Sequence, residues 1–342
     1  MFLDPVSWKT DVTKRCVRFL FWPLCFLGIF STAEAAEGNG PIAIRNQFAP
    51  ALFFLVPTPE AAHVIDPGRF EIGTNATYSS VFNKDNEGTS VLFMDFEVLR
   101  WTFKAGLGIR DRLDADVEIP FLYFTSGFLD QFIKGYHDFF GFPQGGRDEV
   151  PNNQYHYEVS QNGKPLYHTP KAGTFAISDS VLNIHYRLYP ESENWPGTVL
   201  KASVKLPTGS YTGGFGSGHL DYGGFLLIEK NWPRFSGYGN LGVVIPGPLA
   251  GADPSLETQP FAVGVVSGEY RFTDRFSMVL QLDANTRPYA STPIKLLREH
   301  ALEIGGGVRF GAWEHGLLEI GFADGFGSVP DFSISLSVKW LL

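Results

Sequence analysis

Asp331-Phe332-Ser333-Ile334-Ser335-Leu336-Ser337-Val338-Lys339-Trp340-Leu341-Leu342 is the stretch that decides the fold. Phe332, Ile334, Leu336, Val338, Trp340 and Leu342 are apolar, and they alternate with Asp331, Ser333, Ser335, Ser337 and Lys339. A period of two belongs to a β-strand whose two faces meet different media.

The same alternation recurs upstream. Leu113, Ala115, Val117, Ile119 and Phe121 oppose Asp114, Asp116 and Glu118. Leu182, Ile184, Tyr186 and Leu188 oppose Asn183, His185 and Arg187, and Leu302, Ile304, Val308 and Phe310 oppose Glu303, Gly305 and Arg309. A soluble core rarely buries so many charges on one face. A lipid-facing outside and a watered inside account for them directly. In hydrocarbon every backbone N–H and C=O needs a partner, so such strands must close into a ring. The fold expected is all-β, a transmembrane antiparallel β-barrel over residues 69–342.

Connections alternate between short and long. Short ones sit at Arg110-Asp111-Arg112, Pro190 to Gly197, Asn231 to Arg234, Thr273-Asp274-Arg275 and Ala312 to His315. Long ones sit at Asn83 to Gly88, Thr125 to Thr174, Thr208 to His219, Gly247 to Gln259, Arg287 to Glu299 and Ala323 to Val329. That is the pattern of periplasmic turns and external loops, and it counts to about twelve strands. Around Arg100 the apolar phase slips from even positions (Leu92, Met94, Phe96, Val98) to odd ones (Trp101, Phe103, Leu107, Ile109). A β-bulge near Leu99 would restore the register.

Composition agrees. Aromatic residues make up 15% of the 342, with 31 Phe and 38 Gly. The mean hydropathy is −0.03, far below that of a helical membrane protein, and no run of roughly 20 apolar residues exists. The net charge is −9 with scattered basic residues, which argues against a nucleic-acid partner. Lys14, Arg15 and Arg18, the apolar Phe19 to Phe30 and the small-residue pattern Ala33-Glu34-Ala35 form an export signal with cleavage expected near Ala35. Met1 to Asp11 reads as an extension before it. Both cysteines, Cys16 and Cys25, fall in this leader, so the mature chain is expected to have no thiol chemistry. The location expected is the outer membrane of a Gram-negative cell.

Two segments are more than wall. Residues 36–68, which include Ala51-Leu52-Phe53-Phe54-Leu55-Val56-Pro57, are either a plug in the lumen or a periplasmic extension on the rim. The long loop 125–174 carries Phe128, Leu129, Phe132, Ile133, Tyr136, Phe139 and Phe140 at helical spacing, with Ser126 as a cap and Gly141 and Pro143 as a stop. That helix lies either at the outer membrane interface or over the lumen as a gate; the gate reading takes in Phe128, Phe132, Tyr136, His137, Phe139, Phe140 and Arg147.

The stretch Gly40 to Gln47 resembles the start of an uncharacterised bacterial family, a domain of unknown function, of predicted outer-membrane barrels. So do Phe128-Leu129-Asp130, Gly135 to Gly141 and Gly145 to Asp148. Lys205 to Gly209 followed by Gly216 to Gly218 is similar to an element of the barrel-like proteins of phenol meta-pathway degradation clusters. The likeness covers nearly all of the mature chain. It implies fold and location, and no assigned activity.

No phosphate loop, dinucleotide fingerprint or zinc-protease motif occurs, so no catalytic residue, metal or cofactor is assigned. The best raw material for a hydrolase is His185 beside Asp179 or Ser180, but strand parity places Ser180 and His185 on opposite faces. The candidate site is the inward charge set: Asp95, Glu97, Arg100, Lys104, Asp114, Asp116, Glu118, Arg187 and Arg309, with Glu97 and Arg100 the favoured internal pair. These charges either pair across strands to fill a narrow barrel or line a selective pathway. The function expected is a passive channel for small, hydrophobic or aromatic, molecules. The alternative is a packed structural or surface barrel, with a lipid hydrolase a distant third. The partners expected are outer-membrane lipid, the assembly machinery through the C-terminal strand, and a small solute.

Overall fold

A computed structural model describes residues 38–292, 294–313 and 316–342. The export signal, its cleavage point and His315 lie outside the described residues. The strands are β1 (Phe70–Glu87), β2 (Ser90–Arg110) and β3 (Leu113–Thr125), then helix α1 (Asp130–Phe140) and the small hairpin β4 (His156–Gln161) and β5 (Lys164–Pro165). β6 (Phe175–Ile177) and β7 (Ser180–Tyr189) form one wall strand broken at Ser178-Asp179. β8 (Gly197–Leu206), β9 (Asp221–Asn231), β10 (Phe235–Ile245), β11 (Glu257–Thr258), β12 (Phe261–Thr273) and β13 (Phe276–Asn285) follow. β14 (Tyr289–Ser291), β15 (Ala301–Trp313), β16 (Gly316–Gly327) and β17 (Phe332–Leu341) complete the chain.

Twelve of these make the wall: β1, β2, β3, β7, β8, β9, β10, β12, β13, β15, β16 and β17, each antiparallel to its neighbours. The ring closes where β1 meets β17, with Ile72 opposite Trp340 and Ser80 opposite Phe332. No sheet edge in the wall is left open, as lipid requires. The outward residues form an apolar band, with Ile184, Leu280, Ile304 and Leu336 all exposed. On β2 the band runs from Trp101 to Ile109, about 20 Å of height at ~3.4 Å per residue and ~40° tilt, close to the band of an outer-membrane barrel. No helix among the described residues is long and apolar enough to cross a membrane.

Two expectations about β1 and β2 are corrected. Asn83 to Gly88 is not a loop; β1 and β2 continue as a protruding hairpin and turn at Gly88-Thr89. There is no bulge at Leu99 either. The β1–β2 register runs unbroken from Phe70 opposite Leu107 to Glu87 opposite Ser90. Leu92, Met94, Phe96 and Val98 therefore point inward on the same face as Arg100 and Thr102. The medium inside the barrel changes, not the phase of the strand.

Residues 38–68 run inside the ring, up from the short-turn end and back. Ile42 meets Gln281, Asn46 reaches Ser328 at the long-loop end, and Ile65 returns to Asp114. Between these points Phe48, Leu52, Phe53, Phe54, Leu55 and Val56 pack into one cluster with Phe96, Phe124, Phe215, Phe261 and Tyr289. The apolar cluster thus fills much of the long-loop half, which also buries the Lys205–Asp179–Asp221 group, while Glu60 and its partners Lys104 and Lys201 lie toward the short turns.

Candidate functional site

The lumenal segment is almost without secondary structure, so its buried N–H groups need partners from elsewhere. The wall supplies them. Side chains of Glu269, Gln281, Glu319, Asp221, Asn240, Glu229 and Asp114 accept from the N–H groups of Asn39, Ile42, Ala43, Leu55, Glu60, Ala62 and Ile65, at 2.6–3.1 Å. Arg309 donates to the carbonyls of Gly40 and Pro41, both at 2.7 Å, and pairs with Glu319 at 2.6 Å and Glu269 at 3.2 Å. Arg45 donates to the Val56 carbonyl at 2.6 Å, which ties the ascending arm of the segment to the descending one. Two wall glycines make room. A Cβ on Gly307 would stand 2.9 Å from Ile42 Cγ2, and one on Gly108 would strike the Asp66 carbonyl.

The densest charge cluster surrounds Glu60 on the descending arm. Its carboxylate contacts Lys104 at 2.7 Å and also Lys201, with His185 Nε2 at 3.6 Å. Lys104 also reaches Asp116 at 3.3 Å. His185 Nδ1 lies 2.7 Å from Asp114, so the ring nitrogen donates to that carboxylate. Glu118 takes a hydrogen bond from Thr58 at 3.2 Å, and Arg187 donates to the Val64 carbonyl at 3.0 Å. Burial alone would raise the Glu60 carboxyl; Lys104, Lys201 and His185 outweigh it and hold the group well below its ordinary value. Glu60, Asp116 and His185 come close enough to hold a metal ion. Lys104 already bridges both carboxylates there, so the protein supplies its own cation.

Beside this cluster is a cavity of 160 Å³, bounded in part by Glu60, His63, Arg100, Asp116, Glu118 and His185. It shares Asn39, Ala61, His63, Glu71, Leu317 and Lys339 with a vestibule of 770 Å³ at the short-turn end. None of the residues of the apolar cluster around Phe54 and Phe96 lines the cavity.

The nine charges expected in the lumen divide. Arg100, Lys104, Asp114, Asp116, Glu118, Arg187 and Arg309 face the lumenal segment or the cavity beside it. Asp95 and Glu97 do not. By the unbroken register they point outward, at the level where the long loop covers the wall. Glu97 accepts from the N–H of Phe128 at 3.0 Å and of Leu129 at 2.6 Å, so it caps α1 from the wall in place of Ser126. Asp95 has Asp130 and Arg147 as charged neighbours. The Glu97–Arg100 pair is therefore absent; Arg100 contacts Thr102 instead.

The gate reading of the long loop is corrected as well. α1 lies outside the wall. Phe128 stacks on Tyr78 with ring centroids 5.3 Å apart, and Phe132 and Tyr136 meet Phe332. His137 Nδ1 lies 3.0 Å from the Pro143 carbonyl, while Phe139 and Phe140 are exposed. Arg147 is buried, clamped between Asp130 and Asp331, 3.1 Å from Ser80 Oγ and 4.9 Å above the Phe82 ring. The wall partners that sequence reasoning missed, Asp221, Glu229, Asn240 and Glu269, sit at inward-facing parity. That parity was the available signal.

A closed twelve-strand barrel with an apolar belt and a chain segment threaded through its lumen defines an outer-membrane-type β-barrel. The family model described as "Protein of unknown function (DUF3187)" matches residues 19–341, and the chain belongs to that family. No curated protein matches it. Among solved structures it is similar to an outer membrane channel from Pseudomonas putida F1, with TM-score 0.56 and 11% identity over 84% of this chain and 100% of that one. The monoaromatic hydrocarbon channel CymD gives TM-score 0.41 and 13% identity over 89% and 97%. The P. putida toluene transporter TodX gives 0.40 and 11% over 87% and 92%. At these identities the first likeness bears on the fold alone.

Proposed function

We propose that the protein is a gated outer-membrane channel for small solutes, and that the gate is the descending arm of the lumenal segment. The observation carrying this is the position of Glu60 between the wall ammoniums of Lys104 and Lys201, beside a cavity that continues into the vestibule. A side chain such as Phe54 contributes about 1.5–3 kcal/mol on full burial. A hydrogen bond to a charged group, the kind that holds the descending arm, contributes a similar amount, about 1.5–3 kcal/mol, but several such apolar side chains share one cluster at the turn. The apolar turn of the segment is therefore its anchor, and the charged arm is the part with both a releasable contact and space to move. The solute class favoured is small and aromatic or hydrophobic, suited to the half of the lumen lined by Phe96, Phe124, Tyr157 and Tyr289. The final strand β17 is the element offered to the barrel-assembly machinery.

A second reading has its own support: a buried apolar cluster joins the lumenal segment to the wall in the long-loop half, which suits a structural or surface barrel that conducts nothing. Planar bilayer recordings separate the two. A chain lacking residues 38–66 should conduct steadily where the full chain is closed or flickers. Silence from both, with the barrel folded by heat-modifiable gel migration, would leave the packed barrel as the answer. Swelling of vesicles in aromatic acids against sugars of equal size tests the solute class. Lipid hydrolysis finds no support, because His185 pairs with Asp114 and not with Ser180.

A further inference from the structure

We infer that α1 is an interfacial membrane helix, seated where the headgroups meet the acyl chains of the leaflet at the long-loop end. Its occupant is lipid, and the inference rests on the membrane-spanning reading of the barrel.

Three observations carry it. The first is an aromatic surface that its neighbours in the chain leave largely uncovered. Phe128, Phe132, Phe139 and Phe140 are 67%, 55%, 82% and 58% exposed, and Phe142 just beyond the helix is 43% exposed. That much aromatic surface on one 11-residue helix and its two flanks, Phe128 standing just before it, is unusual in water. The second is continuity with the belt. Phe132 and Tyr136 touch Phe332, and the outward residues next along β17 are the exposed Ile334 and Leu336. The helix therefore lies at the upper margin of the apolar band, the level at which amphipathic helices and aromatic rings settle in a bilayer.

The third is how the helix is held. Its polar contacts point toward the protein and leave the aromatic side free. Ile133 is fully buried, Asp130 is clamped by Arg147, and Lys134 reaches Asn152 at 2.6 Å. Glu97 holds the N-terminal end from the wall. A helix pinned this firmly cannot turn its phenylalanines inward to escape water, so the surroundings must accept them.

The test uses single-cysteine labels in a full-length chain whose Cys16 and Cys25 are serine. An environment-sensitive fluorophore is attached at Phe139→Cys, at Ile334→Cys in the belt and at Asp148→Cys on the polar surface. The protein is reconstituted in phosphatidylcholine/phosphatidylglycerol vesicles carrying spin-labelled lipid. The label at residue 139 should be blue-shifted and quenched at least twofold more by lipid labelled near the headgroup than by a water-soluble quencher. The label at 334 should be quenched by deeper spin labels and that at 148 only from water. If 139 behaves like 148 while 334 meets lipid, the inference fails and the barrel reading stands. If 139 is shielded from both quenchers, a second copy of the chain covers the helix and the inference fails. If 334 meets no lipid, the barrel reading fails and this inference falls with it.

Discussion

Lys104 Nζ on β2 stands 2.7 Å from the carboxylate of Glu60, a residue of the lumenal segment. The contact joins a strand that spans the wall to a stretch of chain that crosses the lumen, and Lys201 on β8 grips the same carboxylate from another strand. One side chain thus ties the descending arm to two wall strands at once.

Glu60→Gln removes the shared anion and leaves the buried ammonium of Lys201 and the half-buried one of Lys104 without it, the latter keeping Asp116. The loss expected is about 3–5 kcal/mol of stability, the cost of breaking one side of a buried pair. The descending arm should also lose its hold, so bilayer conductance should rise. Thermal unfolding in detergent and single-channel recording read the two effects separately. A variant with unchanged conductance would show that the arm is held by its backbone hydrogen bonds alone.

The pH dependence has a defined direction. Burial raises the Glu60 carboxyl, but Lys104, Lys201 and His185 hold it well below the ordinary 4.5. A carboxyl depressed in the folded state adds stability that is present above its unfolded value and is lost as pH falls through the folded one. The melting temperature should therefore drop, and channel opening increase, as the solution is taken below about pH 4.5. In Glu60→Gln this part of the acid response should be missing; titration of both proteins from pH 6 downward, on the same apparatus, compares them.

Arg309→Met strands Glu269 and Glu319 and frees the carbonyls of Gly40 and Pro41. About 3–5 kcal/mol should be lost. Adding Glu269→Gln should recover part of it, because one of the two abandoned charges is then neutral. The gel temperature at which the compact form converts to the slow-migrating form measures both steps. No recovery in the double variant would mean that the lost carbonyl contacts carry the cost.

Arg147→Gln should loosen α1 without opening the lumen. Asp130 and Asp331 lose their common partner, so trypsin should cut after Lys134 several-fold faster. Conductance should not change, since the helix lies outside the wall. An increase in conductance would restore the gate role to the long loop.

Much of the wall was legible in the residues themselves. Alternation at period two needs only neighbouring positions, and it named the strands, the turns and the count near twelve. The final strand from Phe332 carried that signal most clearly. Alternation says which residues share a face, but not what lies against it. Leu92 to Val98 and Arg100 to Lys104 share one inward face of β2, yet the first group meets phenylalanines and the second meets Glu60. From the sequence that boundary looked like a bulge.

What the sequence by itself determined was a closed, lipid-belted ring with charges pointing in and an apolar segment ahead of it. Only the tertiary structure decided where that segment runs, that Glu60 joins Lys104 and Lys201, and that Asp95 and Glu97 serve α1 outside the wall. The physical reason is range. Strand periodicity is written in adjacent residues, whereas partners such as Ile42 and Gln281 are 239 positions apart and meet only after the ring has closed around the chain.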